Sequence, residues 1–407
     1  MPSPARAANA AAVLRAVLLH GPVPRSRIAE LSGLSPATVT RLYPLLAERG
    51  LVRELDEPDS AQTLGRPRVP VDLDASGWAV LGVHIGVRRS VFGLLDLRGK
   101  PLGASELEHE DLAPNAVIDQ ACARLRSLHA RAAGQRRVLG LGVITGGRVD
   151  ADAGVLDEHP ELGWHDVDLR TEFARRTGLP VFVDEHVRAM AAAEALFGRA
   201  RSAGSLGYLY VGNVLGFAYS TDGAVHRGSR AAAGEIAHMP LGLASQACAT
   251  LCACGSRDCF LAHVGERGVT ERAVDLGVVP EARIGLVIKA ARAGDERADH
   301  LLRQRAGNVG AAIAILSGIL DPELFVVAGA GLTEAAEYLP DLLAGARQGQ
   351  PRTGSAPVAI LPTAFGAQVN AVAAASLVID RVVRDPLGVR VRGSLSDTDV
   401  SLRSQVL

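Results

Sequence analysis

Three short segments near the amino terminus have apolar residues at helical spacing. They cover residues 11–19, 25–32 and the stretch from 36 toward Gly50, and glycine-containing turns separate them. Ser35 is a favourable N-cap for the third helix, and Pro36 at its first position loses no hydrogen bond. The predicted buried stripe of this third helix consists of Val39, Leu42, Leu45 and Leu46. This order of helices predicts a helix-turn-helix.

A pair of short strands follows the third helix. Leu51-Val52-Arg53 is the first, and residues 68–73 form the second after a polar acidic stretch, which is the pattern of a wing. The net charge of the whole chain is −1, yet residues 1–53 carry seven Arg against two acidic residues. Because proteins bind duplex DNA largely through its phosphates, this local excess favours a winged helix-turn-helix DNA-binding domain over residues 1–75. The alternative is a three-helix scaffold for protein contacts.

The predicted DNA contacts are short polar side chains, which read base edges, and Arg side chains, which bind phosphates. Arg66 lies in the linker sequence Gly65-Arg66-Pro67, where it either enters a minor groove or stays solvated. The full set of predicted DNA-binding residues is Arg25, Arg27, Ser35, Thr38, Thr40, Arg41 and Arg66.

A strand pattern occurs twice in the rest of the chain. Residues 78–86 predict a buried strand that ends in a glycine turn, and residues 91–96 return as its hairpin partner. Residues 208–212 and 215–219 repeat this layout about 130 residues later. The repeat predicts a duplicated α/β domain with a ligand cleft between its halves. No apolar run approaches the roughly 20 residues that a membrane span needs, so no membrane association is expected.

The cysteines are unevenly distributed. Four of the five lie between Cys248 and Cys259, and Cys122 stands alone within a helical pattern. Scattered framework disulfides give a different distribution, so the clustering indicates a metal site in a reducing cytoplasm.

Five stretches resemble, in order, the ROK family of repressors, open reading frames and kinases. They are Gly65-Arg66-Pro67, residues 162–167, residues 179–183, residues 234–238, and Cys252-Ala253-Cys254-Gly255 with Cys259. The resemblance runs from about residue 10 to 380 and implies the actin-like hexokinase fold, a duplicated ribonuclease H-like α/β domain. It divides the body into lobes at residues 76–198 and 199–383, and residues 384–407 are interpreted as a tail. An amino-terminal winged helix is typical of the repressor branch.

The chain departs from the family's kinase motifs. Where the family has Asp-Ile-Gly-Gly-Thr, residues 84–88 read His-Ile-Gly-Val-Arg, and Val87 blocks the approach of backbone amides to a phosphate. The second phosphate loop reads Gly212-Asn213-Val214 instead of Gly-Thr-Gly. The family's Glu-Asn-Asp, which supplies the catalytic base, is Asp184-Glu185-His186 here. The chain is therefore predicted not to be an enzyme, and the alternative is a sugar kinase with residual activity that uses His186.

The resemblance also implies a sugar site. Glu235 and His238 of the family's Gly-Glu-x-x-His motif are kept, three positions apart as on one face of a helix, whereas Leu261 replaces a family Glu. The predicted ligand-binding residues are Glu185, His186, Glu235 and His238. Since an unmatched polar site rejects hydroxyl-rich ligands, an ordinary hexose is disfavoured, and a modified sugar, another metabolite or no ligand are the alternatives. In the last case Glu235 and His238 serve only the metal loop.

The family's metal ligands are all present. His238, Cys252, Cys254 and Cys259 offer the soft donor set of a closed structural Zn²⁺ site, and Cys248 is either a spare thiol or an alternative ligand. Buried cysteines without metal are the other interpretation.

Together, these features predict a cytoplasmic transcriptional regulator, a repressor of carbohydrate metabolism that senses a sugar or related metabolite. A homodimer or higher homo-oligomer would place two recognition helices on a two-fold operator in double-stranded DNA. The alternative class is a scaffold that docks another protein through the zinc loop.

Overall fold

The computed structural model describes residues 3–55, 69–240, 251–252, 254–330, 332, 335–349 and 358–389. The chain divides into two compact units. The first contains described residues up to Phe197 and again from Asn370 onward, and the second runs from Gly198 to Val369.

The amino-terminal part of the first unit is a winged helix. Its helices are α1 (Pro4–His20), α2 (Arg25–Ser32) and α3 (Pro36–Glu48). Its strands are β1 (Val23–Pro24), β2 (Val52–Glu54) and β3 (Pro70–Leu73), in the antiparallel order β1-β3-β2. The predicted helix-turn-helix is confirmed. Val39, Leu42 and Leu46 are buried on α3 as predicted, whereas Leu45 is only half-buried.

The cap of α3 explains where this helix begins. The Ser35 hydroxyl accepts a hydrogen bond from the Thr38 backbone N–H at 3.2 Å. Gly33 adopts a φ of +67°, which ends α2 in a left-handed turn that glycine enters without steric cost. Pro44 stands inside α3, on its exposed side, and the helix continues to Glu48.

The rest of the first unit is an α/β lobe. Its main sheet comprises β4 (Trp78–Ile85), β5 (Arg89–Asp96), β6 (Pro101–Glu108), β7 (Arg137–Thr145) and β11 (Val181–Glu185), in the order β11-β7-β4-β5-β6. A small sheet comprises β8 (Arg148–Asp150), β9 (Val155–His159) and β10 (Trp164–Asp168). The helices are α4 (Pro114–Ala132), α5 (Leu169–Thr177) and α6 (His186–Phe197).

The second unit has a sheet of the same design. It comprises β12 (Ser205–Val211), β13 (Leu215–Thr221), β14 (Ala224–Val225), β15 (Leu324–Ala328) and β16 (Ala359–Pro362), in the order β14-β13-β12-β15-β16. Its helices are α7 (Phe260–Val264), α8 (Glu266–Asp275), α9 (Ile284–Arg292), α10 (Glu296–Leu320) and α11 (Leu339–Gly349). In both sheets an antiparallel hairpin is followed by two parallel strands, so the predicted duplication is confirmed.

The last described α-helix, α12 (Val369–Arg384), brings the chain back to the first unit. The sequence analysis assigned residues 199–383 to the second lobe, whereas residues from Asn370 onward pack with the first unit. A short 3-10 turn, Pro386–Gly388, follows within the segment interpreted as a tail, and it packs against α1 and α3. The segment Gly366–Arg384 is long and apolar enough to cross a membrane, but 61% of its most apolar stretch is buried, as in a core helix.

Candidate functional site

The outer face of α3 is the candidate DNA interface. Thr40 and Arg41 are exposed there, and Arg41 has no ion-pair partner within the described residues. Some of the polar side chains predicted to contact DNA already make hydrogen bonds within α3. The Thr40 hydroxyl donates to the Pro36 carbonyl at 2.9 Å. The Ser35 and Thr38 hydroxyls lie 2.9 Å apart and serve the cap. Arg41 is therefore the side chain of α3 that is best placed to meet a phosphate or a base edge.

The two arginines of α2 have different surroundings. Arg25 donates to the Glu54 carboxylate at 2.6 Å, and its guanidinium lies 4.0 Å from the centre of the Tyr43 ring. It thereby joins α2 to the wing strand β2 and to α3. Arg27 is exposed and paired with Glu30 at 2.6 Å, an ion pair that a phosphate can replace at little cost. Arg66 lies outside the described residues.

Four soft donors converge in the second unit. The ligand atoms of His238, Cys252, Cys254 and Cys259, here called the cysteine cluster, all lie within 4.8 Å of one another. The Cys252 sulfur is 3.5 Å from His238 Nδ1, and the Cys254 and Cys259 sulfurs are 3.9 Å apart. These residues could hold a metal ion. The other candidate ligand, Cys248, lies outside the described residues.

A tight turn builds this cluster. Gly255 has a φ of +82°, and its N–H donates to the Cys252 carbonyl at 2.9 Å, which reverses the chain between the sulfurs. Burial and the neighbouring Cys252 raise the pKa of Cys259 to about 12. A cation between the sulfurs would supply the positive charge that allows such thiols to ionise, so the donor set fits a metal.

Glu235 and His238 were expected on one helix, and this was wrong. Residues 234–238 form successive turns, with the Ile236 N–H donating to the Gly234 carbonyl at 2.8 Å. Gly234 has a φ of +92°, which lies outside the right-handed helical region, and a Cβ there would overlap the Phe217 carbonyl, so only glycine fits at this turn. Glu235 is exposed.

Three histidines collect at the carboxyl ends of the parallel strands in the first unit. His84 precedes the last residue of β4, His159 ends β9, and His186 begins α6 after β11. We call them the histidine cluster. Their approach depends on strand pairing, because His84 is in register with Ile144 of β7, which is in register with Asp184 of β11. The sequence singled out His186 and interpreted His84 only as a poor magnesium ligand. It missed His159, for which no spacing signal exists.

Burial controls the charge of this cluster. It lowers the pKa of His84 to about 3 and that of His159 to about 4, and the neighbouring His186 adds to both shifts. Burial opposes ionisation of Glu185, but His186 and Arg188 outweigh it, so the pKa of Glu185 is lowered. His84 and His159 are thus neutral at pH 7, beside an ionised carboxylate.

The two carboxylates at the end of β11 already have structural hydrogen-bond partners. Asp184 accepts from Arg188 Nε at 2.7 Å, and both side chains are buried. Glu185 Oε2 caps α6 by accepting from the Val187 and Arg188 backbone N–H groups at 2.9 and 3.0 Å. Glu185 Oε1 lies 2.7 Å from His186 Nδ1. Neither carboxylate has the environment of an unengaged catalytic base.

A buried arginine occupies the strand ends of the second unit, and sequence analysis missed it. Arg305 on α10 is 1% exposed and donates to the carbonyls of Val264, Ala330 and Val211 at 2.8, 2.6 and 3.2 Å. Burial lowers its pKa to about 10, so it remains charged at neutral pH. It satisfies carbonyls beside Gly212, where the family's kinases have their second phosphate loop.

The ROK family model matches residues 80–381, and the IclR helix-turn-helix domain model matches residues 7–56. The chain belongs to the ROK family. It is 34% identical over 402 residues to a transcriptional regulator of Mycobacterium tuberculosis, covering 95% of this chain and 89% of the relative.

Two further similarities extend this result. The DNA-binding transcriptional dual regulator NagC of Escherichia coli is 29% identical over 352 residues, covering 81% of this chain and 82% of that protein. A crystal structure described as a ROK family transcriptional regulator, a homologue of E. coli MLC, matches with a TM-score of 0.79. It shares 24% identity and covers 94% of this chain and 98% of that one, which supports the actin-like fold with an amino-terminal helix-turn-helix.

Proposed function

We propose that this ROK family member is a transcriptional repressor whose winged helix binds operator DNA. The observation that carries the proposal is the exposed face of α3, where Arg41 has no ion-pair partner in the part of the chain that the structure describes, attached to a body whose relatives are transcriptional regulators. In this reading residues 1–75 form the DNA-binding domain. Binding to DNA and reduced thiols both fit a cytoplasmic location.

Fluorescence anisotropy with DNA fragments from upstream of the chain's own gene tests this function. The intact protein should bind one fragment selectively, with an affinity that falls steeply as salt rises. Arg41→Ala should weaken that binding about tenfold or more, because it removes a phosphate or base contact. Arg175→Ala is the control, since this exposed arginine lies on α5 outside the winged helix.

Salt-sensitive binding that ignores sequence, or an Arg41→Ala variant that binds like the wild type, would contradict the proposal. Selective binding that depends instead on Arg25 or Arg27 would move the interface to α2.

We infer that the cysteine cluster holds Zn²⁺ as a closed structural site. The support is its donor set, with one imidazole and three sulfurs within 4.8 Å of one another. When bound, the ion supplies only a cross-link, which ties the turn at Gly255 to the chain around His238.

Replacing Zn²⁺ by Co²⁺ tests this site, because thiolate ligands give Co²⁺ an intense near-ultraviolet charge-transfer band. The wild type should show the band, and Cys254→Ser should lose most of it and melt at a lower temperature. Cys122→Ala is the control, because that buried cysteine lies on α4. A band of full intensity in Cys254→Ser would assign the site to other thiols.

We propose that the body binds an effector without phosphorylating it, with Glu185, His186, Glu235 and His238 as candidate contacts. The support is the loss of the base and of the phosphate loops, together with the carbonyl contacts of Arg305. A coupled ADP-release assay across sugars should show no turnover, while a thermal-shift screen should show a stabilising metabolite. We further propose a homodimer, which sedimentation analysis checks. Sugar-dependent ADP release would favour the alternative, a residual kinase.

A further inference from the structure

Apart from His186, which is also a candidate effector contact, the residues of the histidine cluster have no role in DNA binding, effector binding or the cysteine cluster. We propose that His84, His159 and His186 form a second metal site, which binds a transition-metal dication of the Zn²⁺ class. The site lies wholly within the first unit. The proposal does not depend on the proposed repressor function.

The spacing of two of the rings fits a shared ion. The ring centroids of His84 and His186 are 5.8 Å apart, with their planes tilted by 46°. Two imidazoles on one tetrahedral ion, at a Zn–N distance of about 2.0–2.1 Å, have their centroids roughly 5 Å apart. The observed separation is slightly longer than this, so the two rings must move closer and rotate to share an ion.

Gly146, immediately after β7, leaves the space into which the other pair of rings faces. A Cβ at this position would lie 3.2 Å from His159 Nε2 and 3.6 Å from His186 Cε1. The two rings therefore approach one point, His159 from the end of β9 and His186 from the start of α6, and the missing side chain keeps that point clear. Three protein nitrogens would leave a fourth position on the ion for water.

The charges around the rings favour a cation over an anion. His84 and His159 are neutral, Glu185 is ionised, and Arg188 is neutralised by Asp184. A phosphate or carboxylate would be repelled by Glu185 and would meet neutral imidazoles at His84 and His159. A dication instead gains a carboxylate beside His186, the pairing that commonly orients a ligand imidazole.

Two buried ring nitrogens also lack hydrogen-bond partners among the described residues. They are the Nδ1 atoms of His84 and His159. Leaving a buried polar atom unsatisfied costs about 1–3 kcal/mol, and coordination through Nδ1 would remove this penalty for His84, whereas His159 faces the site with Nε2. Within the described chain only the cysteine cluster has three or more ligand atoms already within 4.8 Å, so the histidine rings must rotate to converge.

Titration of the full-length protein with Co²⁺ separates the two sites. The first equivalent should fill the cysteine cluster and give the thiolate charge-transfer band. A second equivalent should add visible d–d absorption without increasing that band, because its ligands are imidazoles. Metal analysis after gel filtration with Zn²⁺ should give two ions per chain.

His84→Gln and His159→Gln should each weaken the second equivalent at least tenfold and return the zinc content to one per chain. His165→Gln, which alters an exposed histidine on β10, should keep both metal ions. Circular dichroism and thermal unfolding check the folding of every variant, because the cysteine cluster lies in the second unit and its band does not report on the first. For a variant that fails this check, the His84→Asn or His159→Asn replacement repeats the measurement.

Saturation of the wild type at one ion per chain would overturn the proposal. So would a second ion whose affinity is unchanged in His84→Gln and His159→Gln, which would place it on surface histidines. Operator binding is measured separately, so failure of this site leaves the repressor proposal standing.

Discussion

At the scale of single residues, buried groups rather than exposed ones distinguish this chain. Arg305 carries a full positive charge, and three backbone carbonyls accept the hydrogen bonds that water would otherwise accept. His84 and His159 are instead buried in the neutral form, because burial lowers the pKa of each ring. Both arrangements occur at strand ends, where backbone groups are left without ladder partners.

The neutral histidines predict acid sensitivity. A histidine whose pKa is lowered in the folded state contributes stability that is complete above the unfolded pKa near 6.5 and is lost as pH falls toward the folded values of about 3 and 4. At pH 5 each ring should cost about 1–2 kcal/mol relative to pH 7.5. Urea unfolding of the first unit, in buffer without added metal, measures this.

His159→Gln, which does not titrate, should flatten the pH dependence between 6.5 and 5. The exposed His165→Gln should leave the curve unchanged. Equal pH dependence in wild type and His159→Gln would show that His159 is charged in the folded protein.

At the scale of elements, the packing of α12 on the main sheet of the first unit depends on small residues. A Cβ on Gly142 of β7 would overlap the Ala374 carbonyl, and one on Gly82 of β4 would overlap the Ala375 backbone nitrogen. The alanines of α12 and the glycines of two neighbouring strands therefore bring two backbones into direct contact.

Gly142→Ala should destabilise the first unit by about 3 kcal/mol or more, because a rigid backbone oxygen occupies the space of the new methyl group. Gly318→Ala on α10 is the matched control. Nothing lies within 4 Å of its Cβ position, so better helix propensity should raise stability by about 0.5–1 kcal/mol. Thermal denaturation compares the two, and a neutral Gly142→Ala would contradict the close approach.

At the scale of the whole molecule, the carboxyl-terminal turn joins the body to the winged helix. Leu387 and Val389 are buried, and the Leu387 carbonyl accepts from Arg49 Nε at 3.4 Å. The Trp78 indole at the start of β4 donates to the Arg49 carbonyl at 2.8 Å. The residue after α3 is thus fixed to both β4 and the 386–388 turn of the same unit.

Leu387→Ala should loosen this attachment at a cost of about 2–3 kcal/mol. Limited proteolysis should then cleave between the winged helix and the body faster than in wild type. Leu112→Ala, which alters an exposed leucine of the same unit, is the control. Unchanged cleavage in Leu387→Ala would show that the 386–388 turn contributes little to holding the domain.

The sequence by itself determined the elements whose information is local. Capping by Ser35, the helix-turn-helix order, the repeated hairpin and the clustered cysteines are all readable within about 20 residues, because the interactions that define them are short-range. The motifs in that order were also enough to place the chain in the ROK family.

Only the tertiary structure decided which distant side chains meet. Parallel strand pairing brings His84 beside His186, and the close packing around α10 places Arg305 on the carbonyls of Val211 and Ala330. Such contacts produce no periodic pattern in the sequence, because the burial and charge of one residue depend on residues far away in the chain. The same reason applies to residues 234–238, which form turns rather than a helix where the Gly234 backbone passes close to the Phe217 carbonyl of β13.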